Sequence, residues 1–257
     1  MPLHCQWIAF QTIFFKEIRR FMRIWVQTLV PPAITMSLYF VIFGNLIGSR
    51  IGEMGGYSYM QFVVPGLIMM AVITNSYSNV VSSFFGAKFQ HHIEELLVSP
   101  VPNYVILSGY ILGSMARGLM VGLIVTLLSL LFTQLPVVNL LITVSIVLLT
   151  SVLFSLLGFI NAVYANNFDD ISVIPTFVLT PLIYLGGVFY SLDLLPAFWQ
   201  NVSQLNPILY VVNAFRYGIL GHSDINVAFA FIMIGFFTVV AAVYCLHLLN
   251  SGKRLRQ

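Results

Sequence analysis

Residues Leu179 to Arg216 read LTPLIYLGGVFYSLDLLPAFWQNVSQLNPILYVVNAFR, too long and apolar for a surface loop and too broken for one clean membrane crossing. The first part, to Tyr190, completes an apolar run that begins at Ile171. About 20 helical residues cross a hydrocarbon core of ~30 Å. Beyond Tyr190 the pattern fails every few residues: at Pro196, at the polar cluster Gln200, Asn201, Ser203, Gln204 and Asn206, at Pro207, and at Gly218 and Gly221. Proline removes a backbone donor, so such pieces fit a bilayer only when buried in protein, facing water, or re-entering from one side. The stretch therefore reads as a fifth span, 171–190, followed by a helical hairpin, 191–221, that dips into one membrane face.

Composition extends that reading to the whole chain. Its 257 residues are 59% hydrophobic and 7% charged, with a mean hydropathy of +0.95, whereas a soluble domain carries about 25% charged residues. An all-α integral membrane domain over 1–257 is expected, with six spans at 24–46, 59–83, 104–132, 138–164, 171–190 and 227–249. Ahead of them, 1–23 reads as an amphipathic interfacial helix. Trp7, Phe10, Phe14, Ile18 and Phe21 recur at helical steps, and the sequence reading sets them opposite Lys16, Glu17, Arg19 and Arg20. Its cationic residues follow the apolar ones and no small-residue cleavage site appears, which argues against a signal peptide. Placing both termini on one side puts Lys16, Arg19, Arg20, Arg23, Lys88, Lys253, Arg254 and Arg256 there, against Arg50 and Arg216 on the other. That bias predicts cytoplasmic termini and a hairpin entering from the outer face. Cys5 and Cys245 fall near the cytoplasmic side, where reducing conditions disfavour a disulfide.

Two internal features are too polar for lipid. In the second span, Asn75, Asn79, Ser82 and Ser83 share one helix face, which must meet protein or water. The run 86–102, GAKFQHHIEELLVSPVP, spaces Ile93, Leu96 and Leu97 as a helix beside Lys88, Glu94 and Glu95, and Pro100 and Pro102 stop it. Arg117 lies mid-span on the stripe Gly109, Gly113, Arg117, where small residues permit close helix approach. A charge there needs a polar partner or water. It reads either as a structural pair or as a contact to an anionic cargo or headgroup.

Several chemistries are excluded. No G-x4-G-K-[ST] phosphate loop exists, because Gly252-Lys253 is followed by Arg254, so the chain is not its own ATPase. The five histidines form no HExxH pattern. No catalytic, cofactor-binding or metal-ligating residue is expected, and a net charge of +3 gives no reason to expect nucleic acid. All eight acidic residues fall in loops or at span ends, which weakens an ion-coupled secondary carrier. That reading, or a channel without an ATPase, remains the alternative.

The opening stretch resembles the signature region of ABC-2 type permeases. Leu179, Leu182, Leu185, Gly186 and Val188 stand at the family's spacing, followed by Leu195-Pro196 and then Pro207, Tyr210 and Arg216 as P-x-x-Y-x5-R. The resemblance implies an exporter's permease subunit in the inner membrane. It implies a homodimer among membrane lipids, served by two separately encoded ATPase subunits that hold ATP and Mg. The cargo would be amphipathic: lipid-like, glycan or drug. Glu95, Leu96 and Leu97 stand where the family has its coupling helix, so Ile93, Glu94, Glu95, Leu96 and Leu97 become expected ATPase contacts, against the alternative of a plain interfacial helix. The family's central cavity makes Asn75, Asn79, Ser82, Phe177, Leu182 and Tyr184, with Arg117, the expected cargo path; the alternative for the Asn and Ser residues is hydrogen-bonded glue between helices, ~0.6 kcal/mol each. Pro196, Asn206, Pro207, Tyr210 and Arg216 would form an outer gate, or else a rigid plug.

Overall fold

The computed structural model describes residues 1–252; Lys253, Arg254 and Arg256, used above in the charge count, lie outside the described residues. Helix α1 (Leu3–Arg23) leads into a first span, Trp25–Gly44, that is kinked rather than straight. It consists of α2 (Trp25–Thr28), α3 (Val30–Phe40) and a π-helical stretch, Val41–Ile47. Pro31 and Pro32 sit in the first turn of α3, where their missing N–H groups cost nothing. After α4 (Gly48–Ile51), strands β1 (Glu53–Met54) and β2 (Tyr57–Ser58) pair antiparallel. Ser58 then caps α5 reciprocally with Gln61.

Helix α5 (Tyr59–Phe89) is the axis of the fold, packing against α7 (Asn103–Ser129), α8 (Leu140–Tyr164) and α12 (Pro207–Leu220). It runs six residues past the expected end of the second span at Ser83 and takes in Gly86 to Phe89. The helix expected across 86–102 is therefore only α6 (His92–Val98). What separates them is His91, held at φ +61°, a conformation that ends a right-handed helix. Helix α13 (Val227–Ser251) closes the bundle against α8 and α12.

Among the described residues five helices are long and apolar enough to cross a membrane; the expected fifth span is the exception. Asp170–Tyr184 is a 15-residue run made of α9 (Asp170–Ile174), a π-helical turn at Pro175–Leu179 and α10 (Thr180–Tyr184). Pro175 and Pro181 break its ladder, and Gly187, at φ +70°, turns the chain before Tyr190 is reached. A 3-10 turn at Leu192–Leu194, α11 (Ala197–Gln204) and α12 follow. Pro207 and Ile208 border the same cavity as Leu153 and Phe237 from the middles of α8 and α13. At the other end of α12, the Gly218 carbonyl accepts from Asn139 N (2.8 Å), just ahead of α8. The two short helices are thus stacked end to end between the long ones.

Candidate functional site

Helix α1 runs alongside the first half of α7. The Tyr104 hydroxyl donates to Gln6, Ile13 lies on Gly109, and Glu17 lies on Gly113, each glycine leaving no room for a Cβ. This packing corrects the sequence reading of Glu17. At 100° per residue Glu17 falls between Ile13 and Phe10, next to Phe21, rather than on the charged side, and it is 0% exposed. Its carboxylate accepts from Ser83 Oγ (2.6 Å) and pairs with Arg20 Nε (3.3 Å). Arg20 also donates to the Asn79 side chain (2.8 Å) and carbonyl (3.0 Å), and Asn79 Nδ2 donates to Ser114 Oγ (3.0 Å). Arg117 closes the network through Asn75 Oδ1 (3.3 Å) and Asn79 Oδ1 (3.5 Å).

Asn79 and Ser83 thus meet α1 and Asn75 meets Arg117 on α7, while Ser82 stays exposed and reaches only Arg20 and the Asn79 carbonyl. Arg117 is held by two asparagine oxygens, near Arg20 and at a level where α1 turns Lys16, Arg19 and Arg23 outward. One buried carboxylate beside two guanidiniums, tied to asparagine and serine side chains while Arg117 Nε keeps no hydrogen-bond partner, is an arrangement for holding helices together.

The α6 end of the bundle is fastened differently. Ile93 is buried in the chain's own core and Leu96 and Leu97 pack against it, whereas Glu95 and Val98 are exposed. Glu94 is half-buried, its carboxylate 3.3 Å from His91 Nδ1. Just before this corner, Lys88 is buried and donates to the Val163 and Ala165 carbonyls, both at 2.8 Å. An ammonium placed on the last carbonyls of α8 satisfies groups that a helix end otherwise leaves open. Phe168 packs edge-on against Phe85 and Phe89, centroids 5.1 and 4.9 Å away. The α5–α6 corner and the turn into α9 are therefore one packed unit.

At the opposite end Arg216, read from the sequence as an outer-side charge of the gate, is fully buried. Its guanidinium donates to the carbonyls of Gly187 (2.7 Å) and Phe62 (3.3 Å) and to Asn213 Oδ1 (3.3 Å), and it lies 3.8 Å over the Phe62 ring. Asp224 accepts from Ser191 Oγ (2.9 Å) and Leu192 N (3.0 Å), tying the start of the hairpin to the loop ahead of α13. Asn206 donates to the Leu182 carbonyl (2.6 Å) and its Oδ1 caps α12, and Tyr210 donates to the Gln204 carbonyl (2.8 Å). Pro196 and Pro207 head α11 and α12.

The expected cargo-path residues do not converge within one chain. Asn75 and Asn79 face Arg117 and Ser114 on α7, whereas Phe177, 73% exposed, and Tyr184 lie on the outward face of the short helices and Leu182 lines a different cavity.

A sequence profile of the ABC-2 type transporter family matches residues 8–220, a span that takes in most of α1, all of α6 and nearly all of the 191–221 hairpin. The chain belongs to the ABC-2 type transporter family. It is 60% identical over 254 residues, 99% of each chain, to the protein named inner membrane transport permease YadH of Escherichia coli K12. More distant is nodulation protein J of Rhizobium leguminosarum bv. trifolii, 26% identical over 74% of this chain and 73% of that one. Nodulation protein J of Rhizobium meliloti is 22% identical over similar shares, 74% and 73%. In this ABC-2 chain the side chains missed by sequence reading are Glu17, Arg20, Ser114, Lys88, Asn213 and Asp224. For Glu17 a signal existed, since its four-residue steps to Ile13 and Phe21 match the Gly109–Gly113 step on α7. For Lys88 none did, because its partners are backbone carbonyls 75 and 77 residues away.

Proposed function

We propose that the chain is the permease subunit of an ATP-driven exporter in the inner membrane, moving an amphipathic cargo outward with a separate ATPase that holds ATP and Mg. The observation that carries this reading is α6. It is a seven-residue helix held on its inner face by Ile93 and joined to α5 and α7 by short corners, with Glu95 directed outward. A short helix fixed at both ends transmits a rigid-body push, which a flexible loop cannot. Both termini and α6 lie on the cytoplasmic side in this reading, and the stacked short helices act as the fifth crossing, with 191–221 re-entering from the outer face as a gate. Two copies, served by two ATPase subunits, would bury the exposed apolar residues Phe177, Tyr184, Phe198 and Trp199 and frame the cargo path between them.

The test is reversal of Glu94 and Glu95 to lysine, followed by affinity purification of the permease from native membranes. Loss of the co-purifying ATPase, with unchanged permease yield and melting temperature, supports the reading. Retention of the ATPase and of its hydrolysis rate rejects these carboxylates as the contact. An ion-coupled carrier is disfavoured because the one carboxylate buried within a helix, Glu17, is already bonded to Ser83 and Arg20.

A further inference from the structure

Helix α1 runs antiparallel to α5, and its longer side chains span the gap between them. Glu17 meets Ser83, and Arg20 meets Asn79 and Ser82, so each four-residue step along α1 answers a four-residue step back along α5. That register sets Lys16 beside Gly86 and Arg23 near Ser78. Most of α5 is buried, yet Ser78 and Ser82 are exposed and a Cβ at Gly86 would meet nothing within 4 Å. These three small residues, at four-residue steps, form the floor of an open trough. Its wall is one edge of α1, where Lys16, Arg20 and Arg23 recur at i, i+4 and i+7. Lys16 is on the trough side of α1, since its Nζ lies 5.7 Å from the centre of the Tyr110 ring, which itself packs edge-on against Phe84 of α5.

We propose that this trough binds the phosphate of an anionic phospholipid head group from the cytoplasmic leaflet. Only the choice of leaflet rests on the function proposed above. Charge selects an anion. Helices α1, α5 and α7 carry a single acidic residue, Glu17, against Lys16, Arg19, Arg20, Arg23 and Arg117 at this end. Glu17 is already paired with Arg20, and Arg117 has only two long bonds to asparagine oxygens, its Nε having no hydrogen-bond partner. Cations held together partly out of water without matching carboxylates favour a bound anion. Shape selects a phosphate. The wall from Lys16 to Arg23 is about 10 Å long, and the Ser78 and Ser82 hydroxyls on the floor add donors for its oxygens. Position selects a lipid. The apolar span Trp25–Gly44 begins two residues after Arg23, and Met22, Ile24, Trp25 and Val26 are all exposed. A head group seated in the trough therefore has apolar surface for its acyl chains within one turn, whereas a soluble anion would gain nothing from it.

The experiment takes the intact permease in dodecylmaltoside, adds dioleoyl phosphatidylglycerol or dioleoylglycerol, and follows retained lipid by native mass spectrometry. The expected result is saturable retention of phosphatidylglycerol and none of dioleoylglycerol, which has the same acyl chains without the phosphate. Lys16→Gln removes one cation of the wall and should weaken retention about fivefold. Gly86→Phe fills the floor where space is open and should weaken it at least as much. Arg19→Gln removes the same charge about 60° round the helix from Lys16, on the side away from the trough, and should leave retention unchanged. Lys16 and Arg19 are both exposed, so their comparison decides the matter even if Gly86→Phe folds poorly. Equal losses in Lys16→Gln and Arg19→Gln overturn the proposal, as does equal retention of dioleoylglycerol or full retention in a folded Gly86→Phe. Displacement of phosphatidylglycerol by inorganic phosphate at the same concentration assigns the trough to a soluble anion and overturns the lipid assignment. The measurement uses the permease alone, so its outcome is independent of whether an ATPase binds at Glu94 and Glu95.

Discussion

Replacing Arg216 by methionine isolates what the buried guanidinium does. Methionine fills much of the aliphatic stem's volume, so the change removes three hydrogen bonds and the contact with Phe62 while opening little space. The Gly187 and Phe62 carbonyls then have no guanidinium donor and, inside the bundle, no water to replace it. Hydrogen bonds within membrane proteins average ~0.6 kcal/mol and reach ~1.7, so three of them sum to about 2–5 kcal/mol. The same range follows from breaking a buried charge interaction in a soluble protein, about 3–5 kcal/mol. Arg216→Met is therefore expected to lower unfolding stability by about 3 kcal/mol, measured by titrating dodecylmaltoside micelles with dodecyl sulfate and following the fluorescence of Trp7, Trp25 and Trp199. Arg216→Lys keeps the charge and can reach one carbonyl but lacks the planar fork, so it should recover part of the loss. A methionine variant within ~0.5 kcal/mol of the parent, or a lysine variant less stable than methionine, would refute the assignment of Arg216 as the anchor of α12.

Two further outcomes follow from the clamps at the other end. Gly113→Ala places a methyl group against Glu17 and forces α1 away from α7; the expected loss is about 1–3 kcal/mol, with the Cys5 thiol on α1 reacting faster with maleimide. Lys88→Met leaves two terminal carbonyls of α8 unsatisfied at about 1–3 kcal/mol, and hydrogen exchange should rise in 163–172 while the amides of α13 stay as protected as before.

Most of the long helices were legible because hydrophobic composition alone specifies them. Leu140–Tyr164 and Val227–Ser251 each lie within two residues of the expected 138–164 and 227–249. The corner between α5 and α6 was not, since Gly86 to Phe89 reads as polar and only the left-handed backbone at His91 shows where one helix stops. Glu17 was misplaced because a charged residue next to Lys16 looks like part of a charged face. Its burial depends on Gly109 and Gly113, about 100 residues further along the chain, and no local window contains that information. Arg117 reads as a charge in need of polar partners, and it donates to Asn75 and Asn79 on one face of α5. Their common role became visible only when α1 supplied Arg20 between them.

The polar residues of the opening stretch have a backbone account that a sequence cannot display. Breaking this apolar stretch into stacked short helices exposes carbonyls at the end of α10 and amides at the start of α12, groups for which a bilayer would supply no water. Each is met individually. Asn206 serves both sides of the break, donating to the Leu182 carbonyl and accepting from Ile208 N, and Pro207 sits at the first helical position, where a missing donor is harmless. Tyr190 donates to the Leu185 carbonyl (3.0 Å), Gln200 to that of Leu195 (2.9 Å), Tyr210 to that of Gln204, and Arg216 to that of Gly187. Asn206, Tyr210 and Arg216, which read as a cluster of gate residues, are thus at least the donors that let an interrupted helix exist at this depth. Any movement of the hairpin has to exchange these bonds for others, so the spacing P-x-x-Y-x5-R constrains the backbone of this segment whatever cargo passes beside it.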